Sequence, residues 1–412
     1  MSNVSNKKSS DSSKRETVLV MQGGGSLGAY ECGACKALAK HNIKFDIIAG
    51  TSIGAINATI IAAGYSKEDG IKQAVKILED FWIDLAEGNT LAPPFLPYKV
   101  RSQLSATYSF LYGNKRAFTP LWIVPGGMPY YYFFSSPYLY NTATLRKTIS
   151  SHVDFRRFGH SLGGQEIPVM QENNRDANPV SSNSRININS SNNDVPRLIL
   201  TATNVQTGEP VIFDSNNAHL TIDHVMASAG YAVYGLPWTT IKDSYLWDGA
   251  FVHNTPLKAV TKKSNTPKHV YVSDVFPRKQ EQLPGNMPET YHRIRDLLFT
   301  DRTIEESKEM SKRAKKDLAL IEQMHELIVS EISSKNKDTK LKSKLSKIEE
   351  EYTNLVTNKQ GLIIDNIVHI QRKERPGRHF IFEDADFSIE TIRELILQGE
   401  EDAEEAMTQT NK

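Results

Sequence analysis

The first part of the chain alternates short apolar runs with segments of helical periodicity. Residues 18–21 form a continuous apolar run that Gln22 and the glycines follow, so residues 18–22 predict a buried strand, and residues 29–40 predict a helix. The same succession follows in FDIIAG, a second strand, and in AINATIIAAGY, a second helix. Alternation of strands and helices at this spacing is typical of a parallel sheet that is covered by helices on both faces.

Apolar segments farther along the chain extend the predicted sheet. RLILTATNVQTGEPVIFD predicts two strands joined by a turn near Gly208, SYLWD a strand that enters a loop, and HVYVSDVFP one more strand. Beyond Pro277 the pattern changes, because residues 303–357 are highly charged with helical character. IVHIQRKERPGRHFIFE then predicts a hairpin turning at Pro376 and Gly377, and a final helix follows it.

We therefore expect an α/β fold with a mostly parallel central sheet covered by helices on both faces, and a mainly helical C-terminal extension. Residues 1–16 are polar and predict a disordered tail, residues 17–280 predict the α/β domain, and residues 281–412 predict the extension with its hairpin. Residues 171–194 are rich in Asn and Ser and predict a flexible insert within the α/β domain.

The overall composition excludes several classes of function. The net charge of +1 gives no indication of nucleic-acid binding. No apolar stretch reaches the length of a membrane span, and the N-terminal residues lack the apolar core of a secretory signal. We therefore expect a cytoplasmic protein whose contact with membranes, if it acts on lipids, is peripheral.

The glycine-rich stretch GGGSLG after the first strand fits the dinucleotide-binding fingerprint through Gly23, Gly25 and Gly28. That site also requires an acidic residue at the carboxyl end of the second strand, to bind the ribose. Asp46 is the nearby candidate, but it precedes the strand and so lies at the wrong edge of the sheet. The confirming context for nucleotide binding is missing.

Cys32 and Cys35 fit a C-x-x-C pair, but both fall inside the first predicted helix rather than at its N-terminus. They are the only cysteines, so no second pair supplies zinc ligands and no disulfide framework exists. Two thiols packed in the core are the preferred interpretation. We expect no metal site.

The pentapeptide GTSIG, residues 50–54, has the G-x-S-x-G pattern directly between a strand and a helix. That context is typical of a nucleophile elbow, in which Ser52 lies on a tight, strained turn. Gly50 and Gly54 remove side chains that would crowd the turn. The Ser52 hydroxyl is then held at a helix N-terminus, where developing negative charge is favoured.

This elbow gives the glycine-rich loop a role. Acyl transfer requires preorganised donors for an oxyanion, typically backbone N–H groups, and adjacent parallel strands bring the loop and the elbow to one sheet edge. The predicted oxyanion and substrate-binding loop consists of Gly23, Gly24, Gly25, Ser26 and Gly28.

A serine nucleophile needs a base, and Asp248 in LWDGAFVHN follows a predicted strand. GGGSLG, GTSIG and DGA in this order resemble the patatin-like phospholipases, which are lipid acyl hydrolases with a Ser–Asp dyad and no catalytic histidine. TATNVQTGEPVIFD, HVMASAG and the segment before the insert also look like core segments of that family, and the C-terminal part resembles a prokaryotic branch with an extension.

The resemblance implies that Ser52 is the nucleophile, that Asp248 is the base, and that residues 17–280 are the acyl hydrolase domain. It also implies a lipid or acyl-ester substrate and neither a metal nor a cofactor. One departure concerns the glycine-rich loop, where Leu27 stands at a place that often carries Arg or Lys in the family. The aromatic segment TPLWIVPGGMPYYYFFSSPYLYN suggests a partly exposed apolar rim over Ser52 that contacts a lipid surface.

Two alternatives remain open at the level of sequence. An α/β-hydrolase with a Ser-His-Asp triad would use His253 or His269 as its histidine. A non-catalytic lipid-binding or scaffold protein would instead use its charged helical region, where residues 333–347 are rich in lysine.

Overall fold

The computed structural model describes residues 15–87, 95–123, 134–158, 195–262, 265–300, 302–334, 339–374 and 382–410. Its strands are β1 (Glu16–Met21), β2 (Ile47–Thr51), β3 (Thr119–Pro120), β4 (Tyr140–Asn141), β5 (Arg197–Asn204), β6 (Pro210–Asp214), β7 (Thr239–Ile241), β8 (Ser244–Asp248), β9 (Lys268–Asp274) and β10 (Ile364–Gln371). Its α-helices are α1 (Ala29–Lys40), α2 (Ile53–Ala63), α3 (Lys72–Glu87), α4 (Tyr98–Tyr112), α5 (Ala143–His152), α6 (Ile222–Ser228), α7 (Leu257–Lys262), α8 (Met287–Phe299), α9 (Thr303–Ser334), α10 (Thr339–Gln360) and α11 (Ile389–Thr410).

The central sheet has the strand order β10-β9-β1-β2-β5-β8-β7, and β6 also pairs with β5. The first five strands of this order run parallel, while β6, β7 and β8 add antiparallel pairs beyond β5. The expected mostly parallel sheet is thus confirmed. Its outermost strand β10 comes from the predicted extension and pairs with β9, whereas the predicted turn at residues 376–377 lies outside the described part of the chain.

Apolar side chains on both faces of the sheet explain its position between two layers of helices. Leu19 and Ile48 belong to a large core that includes side chains of α1, α2, α3 and α11. Val18 and Ile47 belong to a second core, on which α7 packs. Neighbouring residues of one strand therefore point into different cores, as the two-residue period of a strand requires. No helix in the described ranges is both long and apolar enough to cross a membrane.

The C-terminal helix α11 packs against α1 through two glycines. A Cβ on Gly33 of α1 would lie 1.8 Å from the carbonyl oxygen of Ile396, and a Cβ on Gly399 of α11 would lie 1.9 Å from that of Tyr30. Such distances leave no space for any side chain, so the two backbones touch. Because α1 starts directly after the glycine-rich loop, this crossing fixes α11 close to that loop.

We expect Gly33→Ala to destabilise the protein, although alanine is intrinsically favoured over glycine in a helix by about 1 kcal/mol. The added methyl group must separate two backbones, and overpacking of this kind costs about 1–3 kcal/mol or more. Urea unfolding should therefore give a lower midpoint than for wild type. The matched control is Gly285→Ala, whose methyl group meets only Glu289 Oε2 at 3.5 Å and should leave the midpoint unchanged. Equal midpoints for both variants would contradict the close crossing.

Candidate active site

Strand β5 brings the two predicted catalytic residues together. Thr51, the last residue of β2, is paired with Thr201 of β5, and their hydroxyl oxygens lie 2.6 Å apart. The next residue of β5, Ala202, is paired with Asp248 at the end of β8. Because β2 and β8 both pair with β5, the registers of these two pairings place Ser52 and Asp248 side by side.

Ser52 lies in the strained turn that the sequence predicts. Its φ is 58° and its ψ is −127°, a conformation that residues other than glycine rarely adopt. A Cβ on Gly50 would lie 2.2 Å from the Gly54 carbonyl oxygen, and a Cβ on Gly54 would lie 2.6 Å from that of Met21. Both glycines are thus required by backbone contacts around the turn. The Ser52 N–H donates to Ser228 Oγ at 3.1 Å, which helps to hold the turn.

The Ser52 hydroxyl donates a hydrogen bond of 2.5 Å to Asp248 Oδ2. The other carboxylate oxygen, Oδ1, accepts from the Ala250 N–H at 2.8 Å. Asp248 is completely buried, and burial raises the pKa of its carboxyl group to about 7, although the bonds from Ser52 and Ala250 partly oppose the rise. The Ser52 hydroxyl is therefore hydrogen-bonded to a carboxylate whose proton affinity is far above that of an ordinary aspartate.

Gly23 of the predicted loop lies against Ser52, and Gly24 and Gly25 line the same cavity as Ser52. A Cβ on Gly23 would be 2.7 Å from Ser52 Cβ, so only glycine permits this approach. Gly25 has a φ of 58°, in the region that favours glycine. Among the residues that the structure describes, the N–H groups of Gly24 and Gly25 have no hydrogen-bond partner, and both glycines line the same cavity as Ser52. These two N–H groups are therefore backbone donors available at the wall of the cavity that Ser52 also lines.

The other two residues of the predicted loop contact the protein interior instead. Ser26 is buried, and its Oγ donates to the Glu383 carbonyl oxygen at 3.2 Å. Gly28 is enclosed by Ile53 and Trp82, which a Cβ would approach to 2.7 Å and 3.0 Å. Both residues support the loop from behind, and neither lines the cavity.

Asn254 was not identified from the sequence, but it holds the glycine-rich loop in place. The Gly23 N–H donates to the Asn254 carbonyl oxygen at 3.3 Å, and Asn254 Nδ2 donates back to the Gly23 carbonyl oxygen at 3.2 Å. The signal in the sequence is its position six residues after Asp248 and directly before Thr255 and Pro256, which makes it a polar side chain on the loop that follows β8.

Ser52 opens into a cavity of about 120 Å³ that is lined mainly by apolar side chains. Ile53, Ile56, Leu85, Phe118 and Leu145 form much of its wall. Cavities of this kind accept hydrocarbon groups readily because they offer no hydrogen bonds to water. Of the aromatic segment, Tyr140 is buried in the core and Phe134 is exposed, while residues 124–133 lie outside the described residues, so the rim over Ser52 stays a prediction.

The C-terminal segment completes the cavity wall. Asp384, Ala385 and Phe387 line it, and a Cβ on Gly25 would lie 2.3 Å from the Asp384 carbonyl oxygen. The Tyr234 hydroxyl donates to the Asp384 carboxylate at 2.9 Å. Sequence reasoning assigned this segment to a separate extension and did not connect it to the site. The available signal was FEDADF, an acidic cluster between aromatic residues that suits a buried ion network better than a surface turn.

Buried ion pairs anchor that segment to α8. Arg295 Nη2 donates to Glu383 Oε2 at 3.0 Å, and Arg295 Nη1 donates to Asp384 Oδ1 at 3.1 Å. Arg372 also donates to Glu383. Burial by itself would raise the pKa of Glu383, but Arg372, His292 and Arg295 hold it well below its usual range. Removal of one partner from such a network leaves an unpaired buried charge.

The structure gives contacts for His253 and His269, the candidates for a triad, and for His224, another histidine of the α/β domain. His269 is paired with Thr17 at the start of β1, four residues before the strand end that leads to the site, so it lies toward the opposite edge of the sheet. His224 Nδ1 lies 3.0 Å from Thr221 Oγ1 at the start of α6. The backbone carbonyl of His253 accepts from Thr51 Oγ1 at 3.2 Å. The hydrogen bond of the Ser52 hydroxyl goes to Asp248.

The residues of the rejected alternatives lie apart from this site. Cys32 and Cys35 are free, buried thiols whose pKa values are raised by burial. Asp46 accepts from the Thr17 N–H at 2.8 Å and so lies at the opposite edge of the sheet. In the described residues, no group of three or more His, Cys, Asp or Glu side chains is arranged to hold a metal ion.

Comparison with known proteins found one matching family model. The family model described as "Patatin-like phospholipase" matches residues 19–261. Among solved structures, the chain is similar to VipD from Legionella pneumophila, with 12% sequence identity and a TM-score of 0.35 over 96% of this chain and 67% of that chain. A similarity at this level supports no inference about mechanism. No curated protein matches the chain.

We expect Asp248→Asn to stabilise the protein at neutral and alkaline pH. The pKa of about 7 in the folded state lies above the value of about 3.9 in an unfolded chain, so the folded protein retains a proton that the unfolded chain has lost. Stability of wild type therefore falls as the pH rises from about 4 to about 7 and stays reduced above it. A neutral side chain avoids this cost, which is at most about 4 kcal/mol.

Urea unfolding at about pH 4 and pH 8 measures the effect. The variant should be more stable than wild type at the higher pH, and the difference should vanish at the lower one. The matched control is Asp214→Asn, which removes a buried carboxylate that accepts from Arg197 Nη2 at 2.6 Å and should therefore destabilise. The same pH dependence in wild type and Asp248→Asn would contradict the raised pKa.

Proposed function

Because this chain belongs to the patatin-like phospholipase family, a family of lipid acyl hydrolases, we propose that it cleaves carboxylic esters of lipids with Ser52 as nucleophile and Asp248 as base. The observation that carries the proposal is the 2.5 Å hydrogen bond from the Ser52 hydroxyl to the buried Asp248 carboxylate, at the wall of an apolar cavity. We assign the activity to residues 17–280, with a wall of the site contributed by the C-terminal segment.

In the first half of the reaction, Asp248 Oδ2 accepts the Ser52 proton while Ser52 Oγ attacks the ester carbonyl. The pKa of about 7 suits Asp248 to this step, because an ordinary aspartate is too weak a base to deprotonate a hydroxyl effectively. The N–H groups of Gly24 and Gly25 stabilise the oxyanion of the tetrahedral intermediate. Collapse of that intermediate expels the alcohol, which takes the proton from Asp248, and leaves an acyl-enzyme.

In the second half, Asp248 removes a proton from water, which attacks the acyl-enzyme carbonyl. The same two glycine N–H groups bind the second oxyanion. Breakdown of the intermediate releases the fatty acid and returns the proton to Ser52 Oγ. Every proton in this cycle passes through Asp248, so no step requires a metal ion or a cofactor.

The lining of the cavity supports an acyl chain as the group bound next to Ser52. Its apolar wall matches a hydrocarbon, whereas Leu27 adds no cation to the glycine-rich loop and is itself buried. The head group of the lipid is therefore not selected by a charge at this position. A lipid or acyl ester is the proposed substrate, with peripheral contact between the protein and the lipid surface.

The hydrogen bond of the Ser52 hydroxyl to Asp248, together with the positions of His269 and His224, supports a dyad rather than a Ser-His-Asp triad. His269 lies toward the other edge of the sheet, and His224 contacts Thr221. A non-catalytic scaffold is disfavoured by the strained φ of Ser52, because strain of this kind is costly and is usually retained where it serves chemistry.

We expect Ser52→Ala to abolish both ester hydrolysis and labelling by a fluorophosphonate, and Asp248→Asn to lower kcat by at least about a hundredfold, the usual contribution of a positioned base. The controls are His224→Ala, His253→Ala and His269→Ala, which should change kcat less than severalfold. Rates on a soluble short-chain ester measure all five variants. Hydrolysis by Ser52→Ala at the wild-type rate would remove Ser52 from the mechanism, and a histidine variant as inactive as Asp248→Asn would replace the dyad by a triad.

The pKa of Asp248 also predicts the pH dependence of catalysis. The base must be ionised, so kcat/KM should rise with pH, reach half of its maximum near pH 7 and level off about one unit higher. Initial rates between about pH 5 and pH 9 on an uncharged ester measure this profile. A profile that is flat over the whole range would mean that the base has the pKa of an ordinary aspartate.

A further inference from the structure

Helix α8 buries its polar face and exposes its apolar face, the opposite of an ordinary amphipathic helix. Its buried face carries the charged or polar side chains His292, Arg295 and Asp296. Its exposed face carries apolar side chains at intervals of three and four residues, namely Met287, Tyr291, Ile294, Leu297 and Leu298. A helix on a protein surface ordinarily turns its apolar stripe toward the core. The opposite arrangement indicates that the exposed stripe has a partner of its own.

The inversion is enforced by the buried ion pairs. Arg295 donates to Glu383 and Asp384 of the C-terminal segment, so rotation of α8 toward the core would break both of these charge-assisted bonds in a buried environment. The end of the helix is also fixed, because the Phe299 carbonyl oxygen accepts from Gln22 Nε2 at 2.9 Å. The apolar stripe is therefore held outward by the same contacts that hold the cavity wall.

The stripe continues to the edge of the cavity. Leu298, which is 72% exposed, directly precedes Phe299, a residue of the cavity wall. Two other exposed apolar residues also adjoin wall residues in sequence, Val233 next to Tyr234 and Phe251 next to Ala250. Consecutive Cα atoms are about 3.8 Å apart, so the backbone of each of these three exposed residues lies next to a residue of the cavity wall.

Aromatic contacts join these segments into one surface. The ring of Tyr231, itself a wall residue, stacks on Phe251 at 5.5 Å and meets Phe299 edge-on at 6.0 Å. We name the exposed apolar residues of α8 together with Val233 and Phe251 the α8 face. This face adjoins the cavity from three separate segments of the chain.

We propose that the α8 face binds a lipid bilayer by inserting its apolar side chains into the interfacial layer, so that a lipid passes from the bilayer into the cavity. The inference rests on the proposed function, because the continuity of the face with a lipid-binding cavity is what favours a bilayer over a protein partner. Interfacial helices bury their apolar side in the boundary between head groups and acyl chains.

The charges around the stripe refine the proposal. Arg293, a cation of α8, donates to the carbonyl oxygens of Pro277 and Arg278 and so is engaged by the protein. Arg295, the other arginine of α8, is engaged by Glu383 and Asp384, so we assign the attraction of α8 to the bilayer to its apolar area rather than to anionic lipids. Binding should therefore take place on zwitterionic vesicles and change little with ionic strength.

The experiment uses full-length Ser52→Ala, which leaves the vesicles intact, and measures its cosedimentation with phosphatidylcholine vesicles. We expect Ile294→Gln/Leu298→Gln to weaken binding about tenfold or more, because two apolar anchors are lost. The matched control is Leu320→Gln/Leu327→Gln on α9, whose leucines are 58% and 67% exposed and do not adjoin the cavity wall; it should bind like the parent. Raising the salt from about 0.05 M to 0.5 M should leave the parent bound.

In the active protein, the α8 double variant should hydrolyse vesicle phospholipid about tenfold more slowly, while hydrolysis of a soluble short-chain ester stays within about twofold of wild type. Equal losses from the α8 and α9 variants would overturn the proposal, and so would an α8 variant that turns a dimer into a monomer without weakening vesicle binding. If the double variant unfolds at a lower temperature, Leu298→Gln alone provides the same comparison. Vesicle binding through α8 in a protein whose wild type cleaves no ester would instead refute the proposed function and leave the surface in place.

Discussion

The complete burial of the Asp248 carboxylate is the constraint on which the rest of the site depends. Burial raises the pKa of this group to about 7, which gives it the proton affinity that its proposed role as a base requires, at a cost in folding stability at neutral pH. The protein offsets part of that cost with two hydrogen bonds, from Ser52 Oγ and from the Ala250 N–H. The Ala250 N–H is a backbone donor and Ser52 is held by its turn, while the register of β8 on β5 sets the position of Asp248, the proposed base.

The same sheet edge collects the other parts of the site through contacts that tolerate only glycine. Gly23 touches the Ser52 side chain, and Gly25 touches the backbone of Asp384 from the C-terminal segment. That segment is in turn held by Arg295 of α8. The glycine-rich loop is thus confined on one side by the elbow and on the other by residues more than 350 positions later in the chain. Preorganised donors of this kind are what stabilisation of an oxyanion requires.

The local parts of the site could be predicted from the sequence, and the long-range parts could not. A strand followed by GTSIG and a helix predicts the elbow because the backbone turn itself requires Gly50 and Gly54. By contrast, the pairing of β10 with β9 and the crossing of α11 over α1 depend on which distant segments meet, and periodicity alone does not encode that. The orientation of α8 depends on distant residues in the same way, because its buried Arg295 is paired with Glu383 and Asp384 from the C-terminal segment.

The interdependence of Ser52 and Asp248 is tested most directly by the kinetics of Ser52→Ala, Asp248→Asn and the double variant on one soluble ester. Two residues that act as a single unit lose their function together, so removal of the second costs almost nothing once the first is gone. The dyad therefore predicts that the double variant retains the same residual rate as the less active single variant. Losses that multiply, so that the double variant is slower by the product of the two single effects, would mean that the two residues act independently and that Asp248 is not the base for Ser52.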